Sequence, residues 1–201
     1  MTLGKGARDL AGNAMTRAFS SSFTTLRRIE YDFSPETIIA SDTYGNPKNS
    51  CADPLRIGGW LGSISGGAYI AYLVFDVSAI GPASAMYAIE SAMLTGHQTP
   101  PTVGFYSISS VYVKKIQYDS SLYNIPSFPV LAEVGILASS YAPVSSVETL
   151  TSFKADFVSN AVTKHMYTIA PTAPTTPWPY SGASANFTCP GFYLTVRYLI
   201  Q

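Results

Sequence analysis

Short apolar segments separated by turn residues run along the chain from residue 31 onward. The longest of them, residues 69–77, is almost entirely apolar or aromatic, and Gly81-Pro82 follows it as a turn signal. In the last segment, Phe192, Leu194 and Val196 alternate with more polar neighbours, as in a strand with one buried face. The segments with strand character span residues 37–41, 54–60, 69–77, 85–95, 103–108, 130–138, 148–154, 164–169 and 191–200. With no strongly helical segment between them, they predict an all-β protein, specifically a jelly-roll β-sandwich.

The beginning of the chain has a different pattern. Apolar residues recur there at intervals of three and four, which predicts an amphipathic helix over roughly residues 6–20, ended by Ser20-Ser21-Ser22. An isolated helix of this length is marginal in water, so it needs a surface, and both its own domain and a neighbouring subunit stay open as that surface. We therefore divide the chain into an N-terminal arm, helical or extended, at residues 1–30, and a jelly-roll domain at residues 31–201.

A proline-rich segment at residues 170–182 holds four of the chain's fourteen prolines. Because proline has no N–H to give to a sheet, the segment is predicted to be a stiff surface loop. Its aromatic residues Trp178 and Tyr180 are candidates for contact with a partner or a sugar, or they fold back over an open end of the sandwich. Together with three arm residues, the candidate partner-binding residues are Leu10, Ala14, Phe19, Trp178 and Tyr180.

Composition and charge narrow the classes of partner. Only 12% of the residues are charged, and Ser, Thr, Tyr, Gly and Pro are abundant, which indicates a hydroxyl-rich β surface. Residues 1–30 carry five basic and two acidic residues, a net charge of +3, whereas residues 31–201 carry seven basic and ten acidic residues, a net charge of −3. A nucleic-acid-binding domain usually has a basic face, so the sequence argues against that role. The basic arm could instead meet an acidic partner surface.

The sequence shows neither an export signal nor a membrane span, which indicates an intracellular origin. No apolar stretch typical of a secretory signal follows Met1, and no apolar run approaches the roughly 20 residues of a membrane helix. We expect a protein made in a host cytoplasm that contacts no membrane.

Cys51 and Cys189 are too few for a zinc site; one bridge between them is possible, but two separate buried thiols are the preferred interpretation. No cofactor is expected.

Reactive side chains do not form a recognisable catalytic pattern. His97 and His165 have no ligand or triad spacing, so we interpret both as ordinary sheet residues. Glycoside hydrolysis would need two carboxylates about 5–10 Å apart. The available candidates are dispersed: Asp42, Asp53, Asp76 and Glu90. Asp76 is more simply a turn residue that accepts backbone N–H bonds near Ser78.

Several segments match the pattern of one known family. They are Asp42-Thr-Tyr44, Pro54-Leu-Arg-Ile-Gly58, Tyr72-Leu-Val-Phe-Asp-Val-Ser78, Ile89-Glu-Ser-Ala-Met-Leu94 and, further on, Val103-Gly-Phe-Tyr-Ser-Ile108. In these segments the chain resembles the DNRLRE-type β-sandwich domains, which are related in shape to carbohydrate-binding jelly rolls. The resemblance implies a jelly-roll fold, and its matching residues are structural ones.

Two functional hypotheses follow. The first is a non-enzymatic structural protein of a virus particle, most plausibly of a tailed phage, located in the virion and anchored by its arm. Capsid decoration or cementing is preferred to a tail or fibre role, with other virion proteins and copies of the chain itself, for example in a trimeric ring, as partners. The alternative is a carbohydrate-binding module or host-glycan-binding fibre component, with Trp60, Trp178 or Tyr180 stacking on the sugar. A polysaccharide lyase or hydrolase lacks a convincing acid and base.

Overall fold

The computed structural model describes residues 2–3, 7–8, 10–14, 19–41, 47–48, 55–59, 68–100, 110–118, 129–170 and 184–201. The strands are β1 (Thr2–Leu3), β2 (Phe19–Ser20), β3 (Arg27–Phe33), β4 (Thr37–Ser41), β5 (Pro47–Lys48), β6 (Leu55–Gly59), β7 (Ala68–Asp76), β8 (Met86–Gln98), β9 (Val111–Ile116), β10 (Val130–Ala138), β11 (Val144–Glu148), β12 (Lys164–Ala170) and β13 (Ser184–Ile200). Helix α1 spans Leu150–Asn160, and short 3-10 helices span Ser78–Ile80 and Ala83–Ala85.

The strands pair antiparallel in two layers. One layer has the order β10-β9-β12-β7-β4-β5, and the other has the order β11-β8-β13. The long strand β13 also pairs with β6 near its start and with β3 near its end. Strand β6 connects the layers, since Gly58 pairs with Tyr69 of β7. The predicted all-β sandwich is confirmed at this level, and the jelly-roll connection stays a prediction.

The core lies between the two layers because alternate residues of each strand point inward. In β7 the inward residues include Leu73 and Phe75, and in β13 they include Phe192, Leu194 and Val196. All belong to one cluster of buried apolar side chains. The alternation expected for the last strand is confirmed, since its intervening residues are exposed or half-buried.

Strand boundaries follow the sequence pattern closely in some places, but one predicted strand is a helix, and the pattern does not predict β3, β9 or β11. The predicted strands 37–41 and 130–138 coincide with β4 and β10. The strand predicted at 148–154 is wrong, because α1 begins at Leu150. Its Phe153 and Phe157 are four residues apart and face the core together, which is a helical and not a strand period. The strand predicted at 103–108 lies outside the described residues.

The helix predicted over residues 6–20 is wrong for the described part of the arm. Strand β1 pairs with β2, and Arg8 forms an isolated bridge with Ala14, so the segment folds back as a hairpin. Gly12 has a positive φ of 84°, a conformation that favours glycine and that interrupts a helix. The Arg8 guanidinium donates to the Gly12 carbonyl at 2.7 Å and holds the turn. The division of the chain at residue 30 stays a prediction, while β3, which starts at Arg27, pairs with β13.

Cys189 is disulfide-bonded, so the preferred interpretation of two separate thiols is wrong for this residue. Cys189 is half-buried in β13, between Phe187 and Phe192, where the pairing of β13 with β8 shifts register. The chain's other cysteine, Cys51, lies outside the described residues. Disulfides persist in oxidising surroundings, which include virion and cell surfaces, and are rare in the cytosol.

The turn after β7 confirms the role expected of Asp76. The Ser78 backbone N–H donates to Asp76 Oδ1 at 2.9 Å. Hydrogen bonds from Ser78, with a smaller contribution from the Lys164 ammonium, lower the pKa of the Asp76 carboxyl. Asp76→Ala is expected to lower the free energy of unfolding by about 1 kcal/mol, because the N–H loses its acceptor. Asp76→Asn is the matched control in urea denaturation, since its amide oxygen can still accept; equal losses in both variants would contradict the turn role.

Candidate functional site

A group of polar side chains lies inside the sandwich, between α1 and the inner faces of β9 and β12. We call it the buried polar cluster, and its members are Lys115, Thr149, Ser152, Asp156, His165 and Tyr167. Lysine and aspartate are almost never buried in proteins unless they are paired. The cluster therefore needs a specific explanation, which the exposed charges of the chain do not.

Strand alternation places three of these residues inside. In β9, Val111, Val113 and Lys115 are buried, and the intervening residues are half-buried. Lys114 thus points away from the core and donates to Glu133 at 2.6 Å, whereas Lys115 points into it. In β12, His165 and Tyr167 are buried at alternate positions. Helix α1 covers them with residues at helical spacing: Ser152, Phe153, Asp156 and Phe157.

Lys115 and Asp156 form the charged pair of the cluster. Nζ of Lys115 lies 2.8 Å from Oδ2 of Asp156, and the two side chains are 1% and 13% exposed. No described atom meets Nζ with the angles of a hydrogen bond, so the contact has the distance of an ion pair without its usual geometry. Desolvation lowers the pKa of the Lys115 ammonium, and the neighbouring Asp156 carboxylate offsets part of that change. Burial therefore disfavours the charged form of Lys115.

His165 is buried beside this pair in its neutral form. Its ring stacks on Phe153 with centroids 4.5 Å apart. Nε2 lies 3.1 Å from the Val162 carbonyl oxygen, which can only accept, so Nε2 carries the hydrogen and Nδ1 has the lone pair. Nδ1 has no hydrogen-bond partner among the described residues. Desolvation, and next the charge of Lys115, lower the pKa of His165 to about 4.

The Tyr167 ring packs against Lys115 within the cluster. Nζ of Lys115 lies 5.1 Å from the centroid of the Tyr167 ring, a cation–π distance. The neighbouring hydroxyls donate to backbone carbonyls, Thr149 to Ala92 at 3.1 Å and Ser152 to Thr149 at 2.9 Å. They also lower the pKa of the Tyr167 phenol, but burial raises it by more. Although these hydroxyls are its neighbours, Tyr167 Oη meets no described atom in hydrogen-bond geometry.

The sequence-based interpretation missed this cluster. The sequence alone predicts an ordinary sheet position for His165 and indicates no role for Lys115. The signal was present in Val111-Tyr-Val-Lys-Lys-Ile116, where period-two alternation puts one of the two lysines on the same face as the valines. The contribution of Asp156 could not be found this way, because it depends on recognising α1.

The residues proposed for partner binding do not form a single described site. Leu10 and Ala14 are exposed in the arm hairpin, and Phe19 lies in β2. Trp178 and Tyr180 lie outside the described residues, as does Trp60, so the glycan-binding alternative stays a prediction.

The dispersed carboxylates also stay apart from the buried polar cluster. Asp76 accepts from Ser78, and Glu90 accepts from Arg28 at 2.6 and 3.0 Å. Asp42 and Asp53 lie outside the described residues. Within the described ranges, no group of three His, Cys, Asp or Glu residues could hold a metal ion.

The helices of the described part of the chain are too short or too polar to cross a membrane.

No protein-family model matches the chain, and no curated protein shows significant similarity to it. The resemblance to DNRLRE-type domains therefore stays a prediction that rests on the matching segments alone.

Proposed function

We propose that this chain is a non-enzymatic structural protein of a virus particle, specifically of a tailed phage, that docks on the particle through its N-terminal arm. Capsid decoration or cementing is the preferred role over a tail or fibre role. The sandwich, with the jelly-roll connection that we continue to propose for it, would be the exposed body of the subunit. The observation that carries this proposal is the exposure of the arm.

The arm presents apolar side chains to solvent over much of its length. Arg8, residues 10–14 and residues 20–28 are all exposed. Leu10 is fully exposed, Phe23 is 80% exposed and Leu26 is 37% exposed. Large apolar side chains clustered on one exposed segment are typical of a surface that a partner covers. The exposure of the arm supports a neighbouring subunit, and not the chain's own domain, as the surface on which the arm packs.

Charge and redox chemistry fit the same role. The arm has a net charge of +3, so an acidic rim around an apolar pocket would complement it. The disulfide at Cys189 suits a protein that functions outside a reducing cytosol. Virion surfaces are one such oxidising environment. The residues of the buried polar cluster are each at most 9% exposed beneath α1, which supports a non-enzymatic role.

The test is whether the chain copurifies with virus particles. Particles purified on a density gradient from the cells that produce the protein are expected to contain it at a fixed copy number. In the full chain, the double variant Leu10→Ser, Phe23→Ser should reduce that occupancy by more than about tenfold, because burying each side chain contributes about 1.5–3 kcal/mol. Tyr87→Ser is the matched control, since Tyr87 is 64% exposed but lies on the sandwich.

Two outcomes would contradict the proposal. One is recovery of the wild-type chain only in fractions without particles. The other is equal occupancy by the double variant and the wild type, which would show that the arm does not dock. Light scattering on the purified full chain distinguishes self-assembly, such as a trimer, from docking on another virion protein.

A further inference from the structure

We propose that Lys115 and Asp156 condense into an intramolecular amide, a covalent cross-link that joins β9 to α1. This inference is independent of the virion role, because it concerns the interior of the sandwich and not the arm. The reaction would need no cofactor and no external enzyme, since both reacting groups belong to the same folded chain.

The fold holds the reacting groups of Lys115 and Asp156 close together. Reacting groups held about 3–3.5 Å apart in a fixed orientation behave as a unimolecular pair with a very high effective concentration. Nζ of Lys115 lies 2.8 Å from Oδ2 of Asp156, and the carboxyl carbon is bonded directly to that oxygen. The two atoms are in salt-bridge contact, and the angles at Nζ fall outside those of a well-formed hydrogen bond.

The pair is buried among aromatic side chains. Lys115 is 1% exposed, with the Tyr167 ring 5.1 Å from Nζ, and the Phe153 and Phe157 rings cover the cluster from α1. In such a medium the Lys115 ammonium loses hydration, and this desolvation lowers its pKa, which favours the neutral amine that can act as a nucleophile. Amide formation removes both charges from the interior for good. Condensation therefore stabilises a buried pair with incomplete hydrogen bonding more than it stabilises an exposed pair.

The reaction balances within the pair. One proton passes from the Lys115 ammonium to the Asp156 carboxylate, which leaves a neutral amine and a carboxylic acid. The nitrogen lone pair then attacks the carboxyl carbon, and the new C–N bond forms. The C–OH bond breaks, and the hydroxyl leaves as water with a second proton from the nitrogen. Asp156 is 13% exposed, so its edge of the cluster gives the water a path to solvent.

An internal comparison sharpens the proposal. Lys114 is the next residue of the same strand, and its Nζ lies 2.6 Å from Oε1 of Glu133. The Glu133 side chain is 74% exposed, so water solvates its carboxylate directly. The two pairs have similar distances, but only the Lys114 pair has an exposed partner. Only the Lys115 pair is expected to condense.

The decisive experiment is mass spectrometry of the wild-type full chain, denatured and reduced so that the Cys189 disulfide does not contribute. The protein is expected to be lighter than its sequence by one water. Proteolysis should give a branched peptide that contains residues 115 and 156. A wild-type chain whose peptides around these residues are separate and unmodified would overturn the proposal.

Variants locate the bond. Lys115→Arg and Asp156→Ala are expected to recover the lost water, while Lys114→Arg, the matched control, should keep the one-water deficit. If Lys115→Arg remained lighter by one water, the bond would lie elsewhere and the proposal would be wrong. Should either cluster variant fail to fold, the branched peptide of the wild type alone still decides the question.

Discussion

Phe153→Ala is expected to lower the free energy of unfolding by about 3–5 kcal/mol, the range for removing a large aromatic side chain from a core. Phe153 has no exposed surface. Its ring stacks on His165 at 4.5 Å and on Phe157 at 5.4 Å, so it fixes α1 above the buried polar cluster. Its removal would leave a cavity next to the buried polar cluster and admit water to it. Guanidinium denaturation of the full chain measures the loss, provided that the denaturant slope stays constant.

Phe23→Ala is the matched control for this prediction. It deletes the same atoms from a side chain that is 80% exposed, so we expect a change within about 0.5 kcal/mol. If Phe153→Ala cost no more than Phe23→Ala, α1 would not be packed on the sheet as described. The same control variant has a second use, since its effect on particle docking should appear without any loss of stability.

Acidification from about pH 6.5 to about pH 4 is expected to destabilise the protein by about 3 kcal/mol through His165 alone. In the unfolded chain His165 takes up a proton near its ordinary pKa of 6.5, whereas burial lowers its pKa to about 4 in the folded protein. The unfolded state thus binds more protons within this window, and stability falls as the pH falls. Above pH 6.5 both states are neutral at this residue, and the effect vanishes.

The charged groups that face His165 are Lys115 from β9 and Asp156 from α1. Condensation of that pair would remove the Lys115 charge but not the desolvation, which is the largest cause, so the sign of the effect is the same either way. Urea denaturation between pH 4 and pH 7.5 measures the slope in the wild type and in His165→Gln. The variant should lose most of the slope between pH 6.5 and pH 4, because the carboxylates titrate equally in both proteins.

His97→Gln is the matched variant for removing a histidine, since His97 is the chain's only other one. Equal slopes in the wild type and His165→Gln would mean that the imidazole is not held neutral in the core.

Much of the sheet could be predicted from local pattern. Strand β4 and strand β10 follow directly from runs of apolar residues bounded by turn signals. The turn at Asp76 was also accessible, because an aspartate two residues before a backbone N–H commonly accepts from it. These features depend on neighbours in sequence, and one sequence contains that information.

The failures have identifiable physical origins. Residues 148–154 contain β-branched and aromatic residues that suit a strand, and only the partners of Phe153 and Phe157 across the core select the helix. The arm shows the reverse case, since its helical periodicity loses to a glycine turn and to pairing between β1 and β2. Likewise, the Lys115 and Asp156 contact joins residues far apart in the chain. Tertiary contacts decided the helix and the buried pair, whereas in the arm a local glycine turn and strand pairing overrode helical periodicity.

Strand β13 imposes an order on how the molecule is made. It lies between β8 on one side and both β3 and β6 on the other, and Ile200 pairs with Arg27. During synthesis, β3, β6 and β8 therefore leave the ribosome with open edges and wait for the last described strand. Contacts this distant in sequence slow folding and leave the waiting edges open to wrong pairing. Because β13 follows all of its partners in the chain, this layer of the sandwich is completed only after every other described strand has been made.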